Sequence, residues 1–345
     1  MKDGIKMEFL KKKGVEFSLK RYFIDALGAM ALGLFASLLI GTIFGTVADY
    51  IPYEPIAKFL KDMQGYCSSA QGPAMAMAIG SALGAQGLVL FSLCAVGFAA
   101  NSLGGPFGTF IATVIAAEFG KIVYKETKVD IIVTPTVTIT IGVLISVLIG
   151  PGISYVMTTL GKLIMTFTEL KPLLMGALVS VVVGICLTLP ISSAAICATL
   201  SLTGIAGGAA TAGCCAQMVG FAVMSFAANR WGGLIAQGLG TSMLQMGNIV
   251  KKPIIWLPPI ITSAITGAIS AFVFKMENGV AVASGMGTCG LVGPIGVLSA
   301  KTLSFYNFFV MLLICIILPA ILTYIIAKIF KKFNLFCDED LKLDI

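Results

Sequence analysis

Few residues in this sequence can do chemistry, and the clearest is Glu118, set in the apolar run TVIAAEFGKIV. An ionisable group in hydrocarbon is unfavourable by about 3 kcal/mol or more, so each one marks either a polar pathway or an ion pair. A carboxylate at this position accepts hydrogen bonds from the hydroxyls of a polar solute or, at helical spacing, pairs with Lys121 or Lys125. Asn101 in FAANSLGG and Asn229 in FAANRWGG precede Gly-Gly pairs. There an Asn side chain either satisfies backbone groups freed at a helix break or contacts solute. Thr138 lies in DIIVTPTVT, Thr241, Gln245 and Asn248 in GLGTSMLQMGN, and Thr288 in GMGTCGLVGP. Such Gly-rich runs either bend around a cavity and offer amide N–H groups to hydroxylated or anionic ligands, or let helices pack closely. These eight residues form the candidate solute-binding set. Arg230, beside Trp231, is either an interfacial anchor or a counter-charge for an anionic solute.

Other chemistry is excluded by composition. The chain has no histidine, which removes His-centred acid/base chemistry and a phosphohistidine relay on these residues. Its nine cysteines fall mostly in Gly/Ala-rich apolar segments without CxxC spacing and read as small packing residues. No P-loop or GxGxxG pattern occurs in the Gly-rich runs. No catalytic residue, metal or cofactor is therefore expected, and no soluble helix-turn-helix that could reach nucleic acid.

The elements that must position these groups are membrane helices. Of 345 residues, 58% are hydrophobic and only 11% charged, against roughly a quarter charged in soluble domains. With about 20 apolar residues per crossing, the chain reads as an all-α polytopic membrane protein of about 10–12 transmembrane or re-entrant helices. Lys2, Lys6, Lys11, Lys12, Lys13, Lys20 and Arg21 precede the first apolar run, and Lys328, Lys331 and Lys332 close the last. By the positive-inside rule both termini are cytoplasmic, the crossing number is even, and the first run is an uncleaved signal-anchor in the plasma membrane. The expected segmentation is a basic tail 1–21, a first membrane repeat 22–151 and an interfacial amphipathic linker 152–171. A second repeat 172–274, a C-terminal hairpin and last helix 275–330, and a tail 331–345 follow. A further interfacial helix is expected over 48–70.

The two-repeat reading rests on ordered self-similarity. Six of eight positions agree between Phe98–Gly105 and Phe226–Gly233, and Ser68–Ala70, Pro135 and Thr138 find counterparts at Ser192–Ala194, Pro259 and Thr262. With an odd number of crossings per unit the repeats are inverted, a transporter arrangement with its site near the bilayer midplane where Glu118 and Gln245 occupy paired places. If 152–170 crosses the membrane, the repeats are parallel instead.

Three stretches, DIIVTPTVTITIG, GGLIAQGLGTSMLQMGNIVKKPIIWLPP and GMGTCGLVGP, resemble the phosphotransferase-system EIIC membrane permeases. The resembling branch contains the perfringolysin O regulator. The resemblance implies a sugar-permease-like fold, a homodimer in membrane lipid, and a sugar-like or other small polar solute moved by a shift of a substrate domain against a scaffold. It also implies soluble IIA and IIB phosphotransferase partners, on which any sugar phosphorylation depends. The alternative is a membrane-embedded regulator of gene or toxin expression acting without transport. A third reading makes Glu118 the proton carrier of an ion-coupled symporter.

Overall fold

In the computed structural model, the structure describes residues 10, 12–18, 20–49, 51–300 and 304–343. Lys2, Lys6 and Lys11 of the basic tail lie outside them. Among the described residues the regular structure is helical, joined by short turns and irregular connections, with one isolated bridge between Gly204 and Asn278. Helices are what a bilayer demands, because every backbone donor and acceptor must be satisfied within its own segment.

Among the described residues, six helices are long and apolar enough to cross a membrane: α1 (Arg21–Gly45), α4 (Leu88–Val123), α5 (Asp130–Thr168), α8 (Gly204–Met224), α11 (Pro253–Phe274) and α13 (Phe305–Lys332). Between them lie α2 (Glu54–Ser69), α3 (Gln71–Ala82), α6 (Pro172–Thr188), α7 (Ser193–Thr199), α9 (Phe226–Ile235), α10 (Met246–Lys251) and α12 (Cys289–Ala300). Large apolar side chains such as Phe305, Tyr155, Ile131 and Leu148 point outward, as lipid contact requires. The chain is a multi-pass membrane protein.

α2, within the expected interfacial stretch 48–70, buries none of its residues. α5 runs unbroken through Pro151, so the expected linker 152–171 falls largely inside this helix. Its hydroxyls are satisfied one turn back along the helix: Thr134 donates to Asp130 Oδ1 (2.6 Å), Thr138 to the Thr134 carbonyl (2.8 Å) and Ser146 to the Gly142 carbonyl (2.7 Å). Asp130 also accepts the Lys125 N–H at 2.8 Å, which ties the preceding turn to the start of the helix.

The chain divides into two compact units. Unit 1 comprises residues 1–41 and 62–155, and unit 2 residues 42–61 and 156–345. In unit 1, α3 and α4 approach backbone to backbone: a Cβ placed on Gly72 would lie 2.2 Å from the Gly97 carbonyl oxygen. That crossing admits only hydrogen on both helices. Unit 2 is built around α8, whose sequence GIAGGAATAGCCAQMVGFAVM is buried on nearly every side. Small residues let α6, α11 and α13 close on it, and six of the nine cysteines are buried, four of them on α6, α7 and α8.

The two FAAN segments break at different places. In the first, Gly105 takes the non-helical conformation (φ 59°), whereas in the second Arg230 does (φ 50°). A left-handed φ suits glycine, so its appearance at an arginine marks a bend imposed by the surroundings.

Candidate functional site

In unit 1, Glu118 lies in a charged cluster at the carbonyl end of α3. Lys121 Nζ is 2.9 Å from Glu118 Oε2 and Arg21 Nη2 is 4.0 Å from Oε1, with Glu118 and Lys121 both buried. Lys121 also donates to the carbonyls of Gly14 (2.8 Å) and Leu83 (2.9 Å), and Arg21 donates to the same Leu83 carbonyl. Two cations thus gather where helix α3 leaves unsatisfied acceptors, and the carboxylate balances them. Among the described residues neither Glu118 oxygen has a hydrogen-bond donor in line, so the attraction to Lys121 is an ion pair without hydrogen-bond geometry.

The other unit 1 candidates have different surroundings. Asn101 Oδ1 is buried and has no hydrogen-bond partner among the described residues. Thr138 is fully buried, bonded to its own helix, and close enough to Gly120 that a Cβ there would meet its Oγ1 at 2.5 Å. It fills the α4–α5 contact.

Unit 2 brings three of the expected residues together on the C-terminal tail. The Asn229 amide donates to the Leu341 carbonyl at 2.8 Å, and its Oδ1 accepts the Leu343 N–H at 2.8 Å. Gln245 Nε2 donates to the same Leu341 carbonyl at 3.0 Å and to Gln237 Oε1 at 2.9 Å. Asn248 Nδ2 donates to Gln245 Oε1 at 2.9 Å and to the Lys342 carbonyl at 2.8 Å. Gln237, held by its own bonds to Ser225 Oγ and the Gly233 carbonyl, backs the row. A carboxamide carries both donor and acceptor, so a connected row of four presents a strip that matches any ligand alternating the two.

Thr241 and Thr288 hold the backbone around this strip. Thr241 Oγ1 accepts the Met243 N–H at 3.2 Å and so caps the turn that carries Gln245, while Thr288 donates to the Gly238 carbonyl. Arg230 is exposed, and the neighbouring Trp231 stacks edge-on against Phe226 at 5.3 Å.

Beyond the eight candidates, a second polar network crosses the core of unit 2. Gln217, fully buried on α8, accepts from Trp256 Nε1 (2.9 Å) and Thr188 Oγ1 (3.2 Å) and donates to Ser263 Oγ (3.2 Å). Thr188 also meets Ser242 Oγ at 2.8 Å. The lone glutamine in an apolar, Gly/Ala-rich helix is the signal that would have found it. Lys252 and Asp340, paired at 2.7 Å, were also outside the candidate set. The Lys252 ammonium, with help from the Cys337 N–H, holds the Asp340 carboxyl below its ordinary range.

Neither a search of characterised proteins nor one of solved structures returns a match. The family model described as "Phosphotransferase system, EIIC" matches residues 24–343, spanning both units and ending on the tail residue that Asn229 holds. The chain belongs to the EIIC family of the phosphotransferase system.

Proposed function

We propose that this protein is a permease for a sugar-like or other small polar solute, and that Asn229, Gln245 and Asn248 are its principal solute contacts. The carrying observation is the convergence of three carboxamides, from α9, the turn after Thr241 and α10, on one short run of alternating acceptors and donors. A polyol presents the same alternation in its hydroxyls. Glu118, in contrast, serves as the counter-ion that seats Lys121 and Arg21 on the end of α3.

Family membership supports IIA and IIB proteins as phosphoryl donors, and a sequence without histidine fits a phosphohistidine carried by such a partner. A homodimer in the plasma membrane with cytoplasmic termini completes the reading. The Lys328, Lys331 and Lys332 cluster at the end of α13 supports that orientation.

Thermal unfolding of the purified chain against a panel of mono- and disaccharides tests the proposal. A bound sugar at a hundred times its Kd stabilises by about 2.7 kcal/mol. One sugar that raises Tm in the wild type and not in Gln245→Leu is the expected result. A panel without effect, with deletion altering gene expression but no uptake, favours the regulator instead.

A further inference from the structure

The carboxamide strip is already occupied, and its occupant is the chain's own C-terminus. We infer that residues 335–343 are a built-in competing ligand, a strap that fills the solute contacts and must leave before a solute can bind. The inference rests on the permease reading only for the identity of the competitor; the strap itself stands on the contacts below.

The chain is aimed at the strip by the way α13 ends. Asn334 adopts the left-handed conformation (φ 55°), and the Leu335 N–H donates back to the Phe330 carbonyl at 3.1 Å. An Asn in this position reverses the chain at a helix terminus. The Phe336 side chain then turns under Phe330 (ring centroids 6.3 Å apart) and is buried. Residues 339–341 form one short turn, and 341–343 present their main chain to Asn229, Gln245 and Asn248. Leu341 and Leu343 bury their side chains beside that main chain.

The chemistry of this attachment is that of a ligand. Helices elsewhere in unit 2 are joined by close small-residue contacts and by side-chain to side-chain bonds such as those of Gln217, whereas the tail is gripped at its main chain by four side-chain hydrogen bonds, with ion pairs at its rim. Those pairs, Lys252 with Asp340 and Lys331 with Asp338, are partly exposed, with side-chain accessibilities of 39% and 25%, and 27% and 47%. Exposed pairs contribute little, so they guide the strap without locking it. A tethered segment also acts at an effective concentration of about millimolar, so modest intrinsic affinity keeps it in place while a better ligand can displace it.

The test uses the chain truncated after Asn334, the intact chain, and a fluorescein-labelled peptide of residues 335–345 read by anisotropy. The peptide is expected to bind the truncated chain and to bind the intact chain at least about tenfold more weakly, because the tether occupies the site. Asn229→Ala in the truncated chain weakens it by about tenfold, the effect of two lost hydrogen bonds. Equal binding to intact and truncated chains, or none to a truncated chain that retains its elution profile and Tm, overturns the strap. Should the truncated chain fail to fold, hydrogen exchange on the full-length chain decides: the Leu343 amide is protected in the wild type and unprotected in Asn229→Ala, and equal exchange in both overturns the proposal. A sugar that raises Tm of the truncated chain must displace the peptide; if it binds without displacing it, competition is wrong. If the peptide binds and no sugar does, the permease reading fails and the strap stands.

Discussion

Glu118 and Lys121 neutralise one another one turn apart on α4, Nζ lying 2.9 Å from Oε2 with both side chains buried. Removing one partner of such a pair leaves an uncompensated buried charge and is unfavourable by about 3–5 kcal/mol, whereas replacing both by apolar groups is often tolerated. Glu118→Ala is therefore expected to lower stability by about 3 kcal/mol. The double substitution Glu118→Leu with Lys121→Met recovers most of it. Denaturant unfolding in detergent checks this, and a Glu118→Ala chain as stable as the wild type contradicts it.

The approach of α3 and α4 gives a sharper steric prediction. Because a Cβ on Gly72 would sit 2.2 Å from the Gly97 carbonyl oxygen, Gly72→Ala forces the helices apart. Overpacking of this kind is expected to lower stability by about 1–3 kcal/mol. Gly28, with open space around its Cβ, is the control: Gly28→Ala leaves Tm unchanged or slightly raised.

Gln217 reports through fluorescence. The chain has two tryptophans, and Trp256 is bonded through its indole N–H to Gln217 while Trp231 is exposed. Gln217→Leu leaves the Trp256 indole N–H without its acceptor, which lowers stability by about 1–3 kcal/mol. Emission of a Trp231→Phe background, which isolates Trp256, is expected to shift on adding Gln217→Leu; an unchanged spectrum and Tm would argue against the network.

Acid is expected to weaken the docking of the tail slightly through Asp340. The Asp340 carboxyl titrates below its ordinary 3.8, first because Lys252 bonds to it and then because the Cys337 N–H does. A depressed folded value means the ionised form stabilises the docked state above pH 3.8, and that contribution is lost as pH falls through the folded value. Hydrogen exchange of the tail amides should show constant protection from neutral pH to about 5 and a small decrease below about 4, since a partly exposed pair contributes little. Asp340→Asn should flatten the profile, and an identical profile in that variant would contradict the assignment.

Much of the architecture can be read from the residues. Apolar runs must be helices in a bilayer, the spacing of Glu118 and Lys121 already allowed their ion pair, and Cys in Gly/Ala runs packs as a small residue. The strip could be read only in part. Asn229, Gln245 and Asn248 stood out as amides in Gly-rich segments, but their partners lie 112, 96 and 94 positions away in sequence. No local pattern encodes such contacts. The break at Arg230 was equally hidden, since sequence identity with the first FAAN segment pointed to the glycines.

Time-dependent uptake of labelled sugars into proteoliposomes, compared between wild type and Gln245→Leu, is the most direct measurement of the central claim. Accumulation of at least one sugar above protein-free liposomes, abolished by Gln245→Leu with the fold intact, is the predicted result. Uptake that Gln245→Leu leaves unchanged, or no uptake by either the intact chain or the chain truncated after Asn334, would contradict it.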